Sequence, residues 1–310
     1  MYFAALDIGT VTCRLLLANV EPQGLVEHER RCEITNLGVG VDKTGMLRED
    51  AIQRVVSQIA EYVGVINSYR SSTGEEVPII ALATSASRDA KNSQVLVDRL
   101  AELGVKLSVI PGSREAELSF KGASCAFAGE GLMVVDIGGG STEIIVGYGG
   151  AAPVFSHSFN IGCRRVTERF LHSDPPTQAE LDGACMWVRE SMKPVFERAL
   201  AAGVPVNRIV AVAGTATTVV SVEKALEVYD SSKVDGEVVP RAALERQYDM
   251  LRSLPLAKRK NVVGLEPARA SVIVAGLAIL LAVLDLASCE EFTVSESDIL
   301  QGIIMDAASH

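Results

Sequence analysis

Two short segments of this 310-residue chain have the residue types to hold a string of anionic groups. Asp7-Ile8-Gly9 and Asp136-Ile137-Gly138 each close an apolar run, and hydroxyl residues follow at once, Thr10-Val11-Thr12 in one case and Gly139-Gly140-Ser141-Thr142 in the other. A strand ending in Asp and Gly turns tightly and aims backbone N–H groups beyond the sheet, where glycine permits close approach. Hydroxyls add donors, and an aspartate can hold a divalent cation that neutralises a phosphate. Phosphate contacts are therefore expected at Gly9, Thr10, Thr12, Gly138, Gly139, Gly140, Ser141 and Thr142, with Asp7 and Asp136 as metal ligands. One such turn could be a plain strand connection. Three glycines in a row weaken folding more than a turn requires, which favours a ligand.

The elements that carry these turns are also duplicated. Ala81-Leu82-Ala83-Thr84-Ser85-Ala86-Ser87 and Ala211-Val212-Ala213-Gly214-Thr215-Ala216-Thr217 each end an apolar strand, and both pairs of landmarks share an offset of about 130 residues. Gly214 and Thr215 join the expected phosphate-binding set. Arg88 follows the first of these strand ends, and its planar guanidinium suits phosphate oxygens. Glu115 sits in the first turn of a helix after Pro111-Gly112-Ser113; position alone fits a carboxylate that merely complements the helix dipole. Glu143 begins a strand, so alternation places Thr142 and Glu143 on opposite faces and only one can point directly into a site. Arg14, Arg164, Arg165 and Arg269 are further scattered cations, Lys258-Arg259-Lys260 reads as a solvated turn, and Cys13 as a small packing residue.

Composition narrows the class. Lys plus Arg number 29 against 39 Asp plus Glu, a net charge of -10, which argues against a nucleic-acid binder held by a global positive field. Six scattered cysteines show neither metal-ligand spacing nor a disulfide framework, and the histidines are dispersed, so a reducing cytoplasmic setting is expected. The apolar stretch 271–284 is too short for a bilayer and reads as a buried helix. Three opening strands near 2–8, 12–20 and 25–35, a helix over 48–69 and alternating strands and helices thereafter predict an α/β chain of two lobes, 1–129 and 130–310. Thr177 and Glu180 have capping-box spacing ahead of a helix over 177–202. The terminal helix could lie on either lobe.

Five segments in this order carry a resemblance: Ala5–Thr10, Ala83–Ala90, Ile110–Ala116, Val135–Glu143 and Ala213–Thr218. Together they resemble the exopolyphosphatase/guanosine-pentaphosphate phosphohydrolase (Ppx/GppA) family, in its short two-domain branch. The resemblance implies two similar ribonuclease H-like lobes of the actin-like ATPase superfamily, with mixed sheets and a cleft between them. It also implies Mg²⁺-assisted attack of water on the terminal phosphoanhydride of inorganic polyphosphate. Glu115 matches the family's proposed general base, Glu143 a catalytic carboxylate near the metal and the water, Asp7 and Asp136 the turn aspartates, and Arg88 a phosphate-binding arginine. The implied partners are inorganic polyphosphate or guanosine pentaphosphate and a second copy of the chain in a homodimer, with no nucleic acid and no membrane.

The chain departs from the family pattern at several points. Val11 replaces an asparagine, Arg114 the first of two paired glutamates, Ser271 an aspartate and Leu300 an arginine near the end. Those changes leave a guanosine-pentaphosphate 5′-phosphohydrolase, or a non-catalytic polyphosphate or nucleotide sensor, as alternatives to the exopolyphosphatase.

Overall fold

The structure is a computed structural model and describes residues 1–22 and 24–309. Contacts divide it into two compact units, Met1–Gly122 together with the chain from Ile299 onward, and Ala123–Asp298.

The first unit opens as an antiparallel meander, β1 (Tyr2–Ile8), β2 (Thr12–Glu21) and β3 (Gly24–Ile34). It continues through α1 (Val41–Thr44), α2 (Glu49–Thr73), β4 (Ile79–Ala83), α3 (Ser85–Asp89), α4 (Ser93–Glu102), β5 (Leu107–Val109) and α5 (Gly112–Ala123). The sheet order is β3-β2-β1-β4-β5, with β4 and β5 parallel to β1. Strand alternation sorts the apolar residues of β1 and β2 to two faces. Ala4, Leu6, Ile8, Leu15 and Leu17 meet Ile52, Val55, Ile59, Tyr62 and Ile66 of α2 in one core. Phe3, Ala5, Leu16 and Ala18 form a second core with Ile299, Leu300, Ile303 and Ile304. Those last four belong to α12 (Ile299–Ala307), the terminal helix, which thus covers the first sheet.

The second unit repeats the plan. Strands β6 (Gly131–Ile137), β7 (Thr142–Tyr148) and β8 (Pro153–Phe159) form a meander. Then come α6 (Cys163–Phe170), α7 (Gln178–Leu200), β9 (Arg208–Val212), α8 (Ala213–Glu223), β10 (Val238–Pro240), α9 (Arg241–Ser253), α10 (Leu256–Arg259), α11 (Ile273–Ala287) and β11 (Glu291–Val294). The order β10-β11-β9-β6-β7-β8 contains the first unit's arrangement, with β10 added antiparallel at the edge. The expected α/β fold of duplicated mixed sheets is what forms. Helix α7 carries the expected capping box at Thr177 and Glu180. Helix α11 is buried nearly all round, as its composition implies.

The division falls at 122/123 rather than at 129. Residues after Gly122 are tied into the second unit: Gly129 N donates to Gly149 O and Gly149 N to Glu130 O, both at 2.9 Å. A side chain at Gly149 would strike the Phe127 carbonyl. Similarly, Gly302 on α12 lies so close to the Leu118 carbonyl of α5 that no side chain fits. Arg114, the departure on α5, forms an ion pair with Asp306 of α12 and another with Glu117 at 3.0 Å.

Candidate phosphate-binding and catalytic site

The two Asp-Ile-Gly turns have the same construction. Gly9 N donates to Thr12 O at 2.9 Å, and Gly138 N to Ser141 O at 3.0 Å. Four residues separate the last cross-strand pairs, Ile8 with Cys13 and Ile137 with Thr142. Behind the first turn, Thr10 O and Val11 O accept from Gly38 N and Asn36 N at 2.8 and 2.9 Å. Behind the second stands the start of α6, where Cys163 N donates to Gly138 O at 3.0 Å and Arg164 N to Gly139 O at 2.9 Å. The Arg165 side chain adds a bond to Gly140 O at 3.0 Å. A trans peptide holds its N–H opposite its C=O, so the N–H groups of Gly139, Gly140 and Ser141 each point away from the α6 residue that its carbonyl accepts from. Successive N–H groups arranged in this way form an anion-binding concavity. Gly162 is the residue that permits this stacking, because a Cβ there would come within 2.5 Å of Gly140 N. The sequence marks Asn160-Ile161-Gly162 as a loop ahead of Arg164 but does not reveal this close contact.

Around the first turn the hydroxyls of Thr10, Ser85 and Ser87 are buried and have no hydrogen-bond partner. Buried hydroxyls without partners are rare, and a ligand oxygen would satisfy them. Ser85 and Ser87, at the start of α3, were not among the expected donors, although they lie in the repeated strand-end segment. Arg88, on the same short helix, donates from Nη1 to Glu115 Oε2 and to Ile110 O, each at 3.0 Å. The structure thus brings together the expected phosphate-binding arginine and the expected base. Thr12 stands beside Gly9, its hydroxyl 3.7 Å from where a Cβ on that glycine would lie.

Across the strands each aspartate begins a row of side chains on one face of its sheet. In the first unit the row is Asp7, Arg14, Cys32; in the second it is Asp136, Glu143, Ser158. The same position holds a cation in one row and a carboxylate in the other. Arg14 donates to Asp7 Oδ2 from Nε at 3.0 Å and from Nη2 at 2.7 Å. The buried charge of Asp7, an expected metal ligand, is matched by a guanidinium one strand away, as a buried charge requires. Asp136 and Glu143 are two buried acids directly opposite each other. Like charges so placed are destabilising, and a divalent cation would reverse that. Among the described residues no group of three His, Cys, Asp or Glu side chains could hold a metal. Mg²⁺ needs only one or two carboxylates when waters and substrate phosphates complete its shell, so this pair fits it.

Two of the expected donors have neighbours within their own unit. Thr142 Oγ1 donates to Ile161 O at 2.6 Å from a fully buried position, on the face opposite Glu143, so alternation decides the question in favour of Glu143. The Thr215 side chain lies against Gly276 of α11, inside the unit. Gly214 keeps a special role, because the Arg269 guanidinium rests on it and leaves no room for a Cβ, with Nη2 2.5 Å from that position. Ala213 just before it has φ 64°, a left-handed conformation that an alanine adopts only under constraint. Arg164 is buried and reaches Glu168 at 3.6 Å. Arg259 donates to the carbonyls of Leu251, Ala270 and Leu254 at 2.9, 3.1 and 2.7 Å, a structural clasp and not part of a solvated turn. Burial pushes the Cys13 and Cys163 thiols up, so neither is a nucleophile. No described helix is long and apolar enough to cross a membrane.

A family model described as the Ppx/GppA phosphatase family matches residues 18–310. The chain is 36% identical to exopolyphosphatase 2 of Mycobacterium tuberculosis, over 98% of each. It is 28% identical to a guanosine-5′-triphosphate,3′-diphosphate pyrophosphatase of Photobacterium profundum, over 99% of this chain and 59% of that protein. The crystal structure of the Aquifex aeolicus family member superposes with a TM-score of 0.81 at 31% identity, covering 100% of this chain and 98% of that one. With matches that run the length of the chain in sequence and in fold, it belongs to the Ppx/GppA phosphatase family.

Proposed function

We propose that the protein is an exopolyphosphatase, which uses water and Mg²⁺ to release orthophosphate from the end of inorganic polyphosphate. The observation that carries this reading is the second turn: three consecutive carbonyls accept from residues at the start of α6, leaving the following N–H groups for a ligand, and the strand that enters the turn carries Asp136 opposite Glu143. Phosphoanhydride cleavage depends mostly on positioning and charge neutralisation, and such a turn supplies both. The exopolyphosphatase name of the relative matched over 98% of both chains supports polyphosphate over a nucleotide.

In this reading Asp136 and Glu143 would hold the metal, which when bound offsets the charge of the terminal phosphoryl group. In the second unit the N–H groups of Gly139, Gly140 and Ser141 would hold phosphoryl oxygens, and in the first unit the hydroxyls of Thr10, Ser85 and Ser87 are donors suited to phosphate oxygens. Arg88 exchanges one carboxylate hydrogen bond for a phosphate oxygen, freeing Glu115 Oε2 to take a proton from water. The water oxygen bonds to phosphorus as the anhydride P–O bond breaks, the shortened chain leaves with the bonding pair, and the proton on Glu115 passes to solvent. The same reading includes a cytoplasmic location and a homodimer, the latter checked by light scattering.

The test measures orthophosphate released from medium-chain polyphosphate with Mg²⁺. Glu115→Gln is expected to lower kcat by about 10²–10⁴-fold, the range for losing a positioned base. Undiminished release by that variant would refute the assignment of Glu115. Faster hydrolysis of guanosine pentaphosphate than of polyphosphate would replace the proposed substrate.

A further inference from the structure

Ser158 has no part in the expected chemistry, yet it completes the row that contains both acids. It lies opposite Glu143 in the β7–β8 register, and its hydroxyl donates to Glu143 Oε1 at 2.6 Å. Glu143 is buried and Ser158 half-buried on the edge strand. A glutamate has three side-chain torsions, and burial alone does not select which oxygen faces a ligand. A short hydroxyl–carboxylate bond does, because it pins one oxygen and orients the other.

We propose that Ser158 is a positioning residue that fixes the Glu143 carboxylate, engaging Oε1 so that Oε2 is presented toward the Asp136 side, where Mg²⁺ would bind. This inference rests on the reading of Glu143 given above and adds a residue that acts through it. The first unit shows why the position matters. There the corresponding row ends in Cys32, whose thiol is a weak donor, and its central residue is the arginine that pairs with Asp7. Only the row that ends in a hydroxyl has a carboxylate at its central position. Groups that orient metal-binding carboxylates typically change metal affinity or activity by about 10–100-fold when removed.

The test compares Ser158→Ala and Ser158→Thr in the full-length protein. Calorimetric titration with Mg²⁺ reads the metal directly, and polyphosphate hydrolysis gives kcat and KM. Ser158→Ala is expected to weaken Mg²⁺ binding and lower kcat by about 10-fold or more, with KM for polyphosphate within about twofold. Ser158→Thr, which keeps the hydroxyl and suits a strand, is expected to restore both to within about threefold of the parent. Equal losses in Ala and Thr variants, with a lowered melting temperature, would overturn the proposal in favour of strand packing. Unchanged Mg²⁺ affinity and kcat in Ser158→Ala would also overturn it. Glu143→Gln separates this from failure of the underlying reading: if that variant retains full Mg²⁺ affinity and turnover, the role of Glu143 itself is wrong, and the role of Ser158 falls with it.

Discussion

Replacing Gly162 by alanine tests whether the glycine turn is held in a functional shape by the start of α6. Gly162 has an extended backbone, φ −138° and ψ 163°, so alanine brings no torsional strain and the effect is purely steric. The new methyl would lie 2.4 Å from the carbonyl carbon and oxygen of Gly139, and ordinary contact begins at 3.4 Å, so the turn and the helix must separate by about 1.0 Å. The neighbours struck are main-chain atoms, which cannot rotate aside. That separation stretches the bonds from Cys163, Arg164 and Arg165 N–H groups to the turn carbonyls, now 3.0, 2.9 and 3.2 Å. Overpacking of this kind costs about 1–3 kcal/mol, and each weakened bond adds up to about 1 kcal/mol. A loss of about 2–4 kcal/mol is expected in urea denaturation. A shift of about 1 Å at a positioning group can lower turnover about 10²-fold, and orthophosphate release measured where the variant remains folded reads that loss. Gly183→Ala is the control, because its Cβ meets only Phe170 Cδ1 at 3.9 Å and lies within α7. It is expected to gain up to about 1 kcal/mol with activity unchanged. Parental stability and turnover in Gly162→Ala would refute the argument that α6 shapes the turn.

Other expectations follow from the same contacts. Arg14→Met removes the guanidinium from buried Asp7, and chemical denaturation should show a loss of about 3 kcal/mol, partly recovered when Asp7→Asn is added. A change below about 0.5 kcal/mol would mean that the pair does not hold the first turn. Glu180 is held down to about 2 from an ordinary 4.5, first by the Thr177 backbone N–H of the capping box. A depressed carboxylate stabilises the fold above its unfolded value and loses that contribution as pH falls toward 2. The melting temperature of the parent should therefore fall more steeply than that of Glu180→Gln between about pH 4.5 and pH 2, and parallel curves would refute the assignment.

Much of this architecture could be read before any coordinates. The two Asp-Ile-Gly turns and the two strand ends repeat because the same sheet is built twice, and period-2 alternation already separated Glu143 from Thr142. Counting the same register across the first turn would have placed Arg14 opposite Asp7, since both turns leave four residues between their last pairs. Ser158 could not be read in this way. Its neighbour depends on the bulged β7–β8 register, with a shift at Val146/Gly147 that spacing does not reveal. The Arg88–Glu115 contact joins residues far apart in sequence, and only the parallel placement of β4 and β5 brings α3 near α5. The 122/123 boundary was hidden for a similar reason, because the bonds to Gly149 are non-local. Arg259 appeared solvated because its flanking lysines are charged, whereas its own partners are main-chain carbonyls.

Because α12 covers the sheet that β1 and β2 begin, the first compact unit is encoded in two stretches with the second unit's sequence inserted between them. During translation, the earliest strands must wait with Phe3, Ala5, Leu16 and Ala18 uncovered until α12 emerges from the ribosome. The inserted unit has all its parts sooner and can complete first, inverting the usual N-terminal-first order. The interval in which the opening strands stay bare is when a nascent chain of this design has most need of a chaperone.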